Sequence, residues 1–174
     1  MTLYETDMSN TSDEYPTTPE LWRPLADALG GFDVDPASGC ENDAIAETCY
    51  TKSDDGLSQQ WLGNVWLNPP FSDKRDWYRK AVNEVNSGNA NTVIALAPVD
   101  TSTQWFQNWF AKATVICWLE GRNWYEASGS PSFNTAVGVF GDCPKKVIKV
   151  LESKGVVTET KSTKKQTQLS EVGQ

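Results

Sequence analysis

The chain has 174 residues, 39% hydrophobic and 22% charged, which suits one folded domain with a sizeable core and excludes wholesale disorder. It contains no histidine, so imidazole bases, histidine triads and mixed histidine–cysteine zinc sites are excluded. The net charge of −8 argues against a polyanionic partner for the whole surface. The charge is unevenly spread, however: residues 1–60 set thirteen acids against Arg23 and Lys52, while residues 144–165 set seven lysines against Glu152 and Glu159.

The four cysteines, Cys40, Cys49, Cys117 and Cys143, form no C-x-x-C pair and read as unpaired thiols packed as small hydrophobes. No apolar run approaches the roughly 18 residues of a membrane span. The acidic, polar stretch Met1–Asn10 lacks the features of a signal peptide, so a cytoplasmic location with no membrane partner is expected. A single domain is expected over residues 15–158, between a flexible N-terminus (1–14) and a disordered Ser/Thr/Lys/Gln tail (159–174).

In chain order, a helix is predicted from Thr18 and Pro19. Thr18 can cap it, Pro19 suits its first position, and Leu21, Trp22, Leu25, Ala28 and Leu29 recur at helical spacing until Gly30 and Gly31. Pro24 is expected to kink or split that helix. A short strand follows at Phe32 to Asp35, then mostly loop from Pro36 to Leu57. Asn64 to Leu67 reads as a buried strand ended by Pro69 and Pro70. A helix from Ser72 or Asp73 presents Trp77, Ala81, Val82 and Val85 on one face and closes at Ser87 and Gly88. Thr92 to Ala97 has the continuous apolar character of a strand covered on both faces. A helix over Ser102 to Lys112, strands at Val115 to Leu119 and Thr135 to Phe140, a helix near Pro144 to Lys154 and an edge strand after Gly155 complete the set. This alternation predicts an α/β fold: a single-domain, open, mostly parallel sheet with flanking helices. Ligands of such sheets bind beyond the carboxyl ends of the strands.

Two chemically distinctive segments fall at strand ends. Asn68-Pro69-Pro70-Phe71 joins a rigid backbone to a neutral amide and a flat ring. An exocyclic amine on an aromatic ring is a poor nucleophile because its lone pair is delocalised. Accepting its two hydrogens at the Asn68 side-chain oxygen and the Pro69 carbonyl would localise that pair for attack on a methyl donor, and this needs no histidine. Phe71 can stack on a base taken out of a duplex. The other segment, Asp35-Pro36-Ala37-Ser38-Gly39, and the turn Asp54-Asp55-Gly56-Leu57 suit close cofactor approach and hydroxyl or amine recognition, although each alone also suits an ordinary turn.

The ordered set Tyr15-Pro16-Thr17-Thr18-Pro19-Glu20, Phe32-Asp33-Val34-Asp35-Pro36-Ala37, Asp54-Asp55-Gly56-Leu57 and Trp66-Leu67-Asn68-Pro69-Pro70-Phe71 resembles the phage-type DNA N6-adenine methyltransferase family. Ala97-Pro98, Asp100-Thr101-Ser102-Thr103, Trp105-Phe106, Gly121-Arg122 and the strand from Phe133 to Phe140 are similar to its second half, so the match covers about residues 13–142. The resemblance implies a Rossmann-like methyltransferase fold, S-adenosylmethionine as methyl donor and adenine in DNA as acceptor. It implies that Thr18 and Pro19 line the methionine end of the donor, Asp35 and Pro36 form the cofactor turn, and Asp54 or Asp55 meets the adenosine. Asn68, Pro69, Pro70 and Phe71 take the catalytic roles reasoned above. The chain departs from the family pattern in lacking a full glycine-rich loop and a separate target-recognition domain. Selectivity is therefore expected from short loops such as Glu120 to Ser132, with Arg122, Asn123, Trp124 and Tyr125. Among the cations, Arg122, Lys145, Lys146 and Lys149 are the expected DNA contacts, although a lysine run also suits a solvated helix face. Two other readings fit the same turn: methylation of a glutamine side chain in protein, and a DNA-binding viral accessory protein without turnover.

Overall fold

The computed structural model describes residues 15–39, 44–122, 124–125 and 133–160. Among these, the strands are β1 (Phe32–Asp35), β2 (Ala46–Cys49), β3 (Gly63–Leu67), β4 (Ala90–Pro98), β5 (Val115–Leu119), β6 (Thr135–Gly141) and β7 (Gly155–Glu159). The helices are α1 (Pro19–Leu29), α2 (Lys74–Asn86), α3 (Gln104–Asn108) and α4 (Lys145–Glu152), with 3₁₀ turns at Lys52–Asp54 and Phe110–Lys112.

The strands form one sheet in the order β2-β1-β3-β4-β6-β5-β7. Strands β1 to β5 run in one direction, whereas β6 is inserted in reverse between β4 and β5 and β7 lies reversed at the edge. The fold is thus a single α/β domain with a mixed sheet. Alternation along β3 and β4 sends Val65, Leu67, Val93, Ala95 and Ala97 to one apolar layer and Trp66, Ile94 and Leu96 to the other. The first layer is covered by α2 and α3 through Trp77, Tyr78 and Phe106, and the second by α1 and α4 through Leu21, Leu25, Val147 and Leu151. Burial on both faces is why these strands are apolar throughout rather than alternating.

Several expectations are corrected. Helix α1 is continuous through Pro24. Thr18 occupies its N-cap position without a side-chain cap bond. The stretch expected to be loop contains β2 and a 3₁₀ turn. The helix expected over Ser102 to Lys112 stops at Asn108 and gives way to a 3₁₀ turn that seats the fully buried Phe110. The last strand runs to Glu159, and the Thr160 amide still bonds the Thr114 carbonyl at 3.0 Å. Cys49, Cys117 and Cys143 are free thiols, while Cys40 and residues 1–14 and 161–174 lie outside the described residues. Among the described residues no helix is long and apolar enough to cross a membrane.

Candidate active site

Parallel pairing of β1 with β3 brings the turn after Asp35 and the turn after Leu67 to the same rim of the sheet. Between them opens a cavity of about 470 Å³, lined on one side by Pro36, Ala37 and Ser38, on another by Asp55, Gly56 and Leu57, and on a third by Asn68, Pro70 and Trp77. This volume lies in the range of small-molecule sites. A smaller cavity of about 90 Å³ adjoins it, with Thr17, Pro19, Arg23, Asp35, Trp66 and Asn68 in its walls. Asn68 therefore stands at the boundary of both spaces.

Local hydrogen bonds make the walls rigid. The Asp35 carbonyl accepts from the Tyr50 amide at 2.8 Å, and the Tyr50 carbonyl accepts from the Ser38 amide at 3.0 Å, so the turn after β1 is pinned to the end of β2. Gly56 packs against the Pro36 carbonyl so closely that a β-carbon would overlap it. The buried Trp61 indole donates to the Gly56 carbonyl at 2.8 Å and stacks on Trp77. The two acidic neighbours in this wall have different jobs. Asp54 Oδ2 accepts from both the amide and the hydroxyl of Thr51, at 2.8 and 2.7 Å, which holds its carboxyl below the usual carboxylate range. Asp55, in left-handed backbone conformation with φ of 51°, is the one that lines the larger cavity.

Asp35 is 5% exposed. Burial pushes its carboxyl up to about 7, opposed by one bond accepted from the Ala37 amide at 3.2 Å. Thr18 sits between two residues that line the smaller cavity, and its hydroxyl is buried without a hydrogen-bond partner in the protein. A buried titrating carboxyl and a cavity of this size together fit a nucleoside-sized cofactor carrying an ammonium group. Among the described residues no cluster of ligating side chains suits a metal ion.

The asparagine turn is oriented by the segment preceding α1. Asn68 Nδ2 donates to the Tyr15 carbonyl at 2.7 Å and to Thr17 Oγ1 at 3.1 Å. Phe71 is half-buried in a ring cluster, 5.1 Å from Tyr15, 5.1 Å from Phe133 and 6.3 Å from Tyr125, and lines neither cavity. The Lys74 ammonium lies over Phe71 at 5.6 Å and over Trp105 at 5.3 Å.

The expected DNA contacts separate. Arg122 is exposed just beyond the rim end of β5. Lys145 and Lys146 are not near it: reversed β6 pairs Thr135 with Pro98 at the rim and Gly141 with Thr92 at the opposite edge, so α4 starts at the far side of the sheet from Asn68. Lys149 is one turn further along, and Lys154, which follows the helix, returns to the rim with its ammonium 5.5 Å over Trp124. Sequence reasoning gave no role to Thr17, Gly56, Arg23 or Lys74. Only Gly56 and Thr17 carried a signal, through the motifs containing them. Asn123 and residues 126–132 lie outside the described residues.

The fold and site define an α/β protein whose cavity opens beyond the strand ends beside an Asn-Pro-Pro-Phe turn. The family model for DNA N-6-adenine-methyltransferase (Dam) matches residues 5–167, and the chain belongs to that family. It is 33% identical over 110 residues to the DNA N-6-adenine-methyltransferase of Escherichia phage T1, covering 62% of this chain and 45% of the relative. It is 29% identical over 89 residues to the protein of the same name from Haemophilus phage HP1 (strain HP1c1), covering 51% of this chain and 50% of the relative. The chain thus matches about half the length of these relatives. No solved structure gives a significant match.

Proposed function

We propose that the protein transfers a methyl group from S-adenosylmethionine to the N6 amine of adenine in DNA. The observation that carries this reading is the Asn68 amide: its nitrogen is engaged by Tyr15 and Thr17, which leaves its oxygen as the outer arm beside two adjoining cavities. Membership of the family supports both the donor and the acceptor. The reversed β6 between two co-directional strands supports reading the sheet as Rossmann-like.

On this reading the larger cavity holds the adenosine part of the donor between the Pro36–Ser38 wall and the Asp55–Leu57 wall. The smaller one takes the methionine end, with Thr18, Pro19 and Asp35 around it. The bound donor supplies an electrophilic methyl group on a sulfonium. Asn68 Oδ1 and the Pro69 carbonyl accept the two hydrogens of the adenine amine, draw its lone pair out of conjugation and stabilise the positive charge that grows on nitrogen. Pro69 and Pro70 hold these oxygens at fixed positions, so little reorganisation is needed as the charge develops. Phe71 stacks on the base, which must leave the duplex to reach the turn, and Lys74 moves off the Phe71 ring to admit it. Arg122 and Lys154, both at the rim, meet phosphates in place of Lys145 and Lys146. On this reading the protein works in the cytoplasm, the aqueous compartment that holds both donor and DNA.

Incubation with tritiated S-adenosylmethionine and either adenine-containing duplex DNA or a protein extract tests this. Label in DNA that sequencing assigns to adenine is the expected result. Label in protein alone would establish the glutamine reading, and no label in either would overturn both.

A further inference from the structure

An asparagine amide is nearly symmetric in shape, and only one of its two orientations can serve an amine. With oxygen outward it accepts the hydrogens of the target. With nitrogen outward it sets a donor against a donor. Shape cannot choose between these states, so the choice rests on the partners of the inner arm. Here the inner arm faces the Tyr15 carbonyl at 2.7 Å, an atom that can only accept, and Thr17 Oγ1 at 3.1 Å. The carbonyl forces nitrogen inward, and Thr17 Oγ1 then accepts its second hydrogen.

The segment that supplies these acceptors is itself anchored. The Thr18 amide donates to the Trp124 carbonyl at 3.0 Å, Thr17 pairs with Tyr125 in an isolated antiparallel bridge, and the Tyr15 ring packs against Phe71, Tyr125 and Phe133. Thr17 is 6% exposed. The strap 15–18 is therefore a fixed acceptor wall for Asn68 rather than a loose end lying near it.

We propose that Thr17 is a positioning residue which, with the Tyr15 carbonyl, locks the Asn68 amide with its oxygen toward the target amine. This rests on the proposed function. A second consequence follows from the same geometry. A carboxylate at position 68 would set an anionic oxygen against the Tyr15 carbonyl and could serve only when protonated, its O–H taking the place of the amide N–H. The strap thus selects an amide over a carboxylate in this chain.

The test compares wild type with Thr17→Val, Thr17→Ser, Asn68→Ala and Asn68→Asp. It uses single-turnover methylation of duplex DNA from about pH 5.5 to about 8.5, together with calorimetric affinity for S-adenosylmethionine and thermal melts. Thr17→Val is expected to slow transfer at saturating donor by about tenfold, the rate equivalent of one neutral hydrogen bond. Thr17→Ser is expected to restore the rate. Asn68→Asp is expected to be nearly inactive at the alkaline end and to gain activity as pH falls, a profile that a purely structural role for the strap would not produce. A Thr17→Val rate equal to wild type, or an Asn68→Asp variant as fast as wild type at the alkaline end, overturns the inference while the proposed function stands. If Thr17→Val fails to fold, Thr17→Ala is measured in its place, because the Asn68→Asp profile reads the Tyr15 carbonyl and not the Thr17 hydroxyl. If wild type labels DNA and Asn68→Ala is equally fast, the catalytic reading of Asn68 falls and this inference with it.

Discussion

Replacing Gly56 by alanine tests whether the close approach of two turns shapes the larger cavity. The added β-carbon would lie 2.8 Å from the Pro36 carbonyl carbon and 3.2 Å from its α-carbon, and nearer still to the carbonyl oxygen. All three are backbone atoms, so no side chain can swing aside. Pro36 itself cannot retreat, because the neighbouring Asp35 and Ser38 are both tied to Tyr50. Gly56 is held from its other side by the Trp61 indole. The turns must therefore separate, and inserting a methyl group into a packed site typically costs about 1–3 kcal/mol. Because those turns are opposite walls of one cavity, affinity for S-adenosylmethionine should fall in the same variant.

Urea unfolding and calorimetry measure the two effects, with Gly88→Ala as control. Gly88 has a positive φ, 79°, which Gly56 does not, but it has open space around its β-position and sits just past the end of α2, away from the cavity. It should lose about 1 kcal/mol through backbone strain and keep its donor affinity. Equal donor binding by Gly56→Ala and Gly88→Ala would refute the argument that the Gly56–Pro36 contact sets the cavity.

Three further outcomes follow from the same geometry. The Asp35 carboxyl sits near pH 7 in the fold and far lower when unfolded, so its contribution to stability is full below the unfolded value and is lost as pH rises from about 4 to about 7. Asp35→Asn should flatten that decline in a urea titration, and wild-type donor affinity should rise with pH to about 7 while the variant stays level, Arg23 being the other charged group in that cavity wall. Asp55→Asn should weaken donor binding, whereas Asp54→Asn should lower the melting temperature through the Thr51 cap and leave affinity nearly unchanged. Gln at Arg122 and Lys154 should shallow the salt dependence of DNA binding by about 0.9 for each phosphate no longer neutralised, and Gln at Lys145 and Lys146 should leave the slope intact.

The legible parts of the fold were those whose signal is local. Strands β1 and β5 fall at the expected residues, because short apolar runs bounded by glycine, proline or acidic residues permit little else. Strand β2 escaped notice since Ala46-Glu47-Thr48-Cys49 buries only its first residue fully and is an edge strand, so it has no apolar pattern to detect. The helix after β4 was overextended because helical spacing continues through Trp109 and Phe110, but Phe110 turns inward beneath Gly138, where a β-carbon would be only 2.9 Å from its ring. In the site, Asn68, Asp35 and the Asp54–Leu57 turn were visible as motifs. Their division of labour was not, because it depends on which carboxylate Thr51 occupies. The contact from Asn68 to Thr17 spans 51 positions and leaves no trace in either local sequence. The lysines could not be placed for a related reason: a run of charge has no direction until the reversal of β6 assigns it to one edge of the sheet.

The absence of histidine is coherent with this site rather than a gap in it. An alkylated aromatic amine carrying an extra proton is a strong acid, so water can take that proton once the new bond exists, and no side chain need act as base beforehand. On the proposed function, what the protein must supply is a pair of oxygens fixed where the hydrogens of the amine will be, with no freedom to present the wrong atom. Proline backbone fixes one of them, and acceptors on a separate strap fix the other. The same strap also bonds the Trp124–Tyr125 segment beside the expected recognition loop, so the orientation of Asn68 and the shape of the rim that meets DNA are parts of one hydrogen-bonded unit. On the proposed function, a change in the strap therefore acts on transfer rate through Asn68 and on the donor through Tyr15, Pro16 and Thr17, which line the two cavities, while the walls at Gly56 and Ser38 are held by bonds the strap does not share.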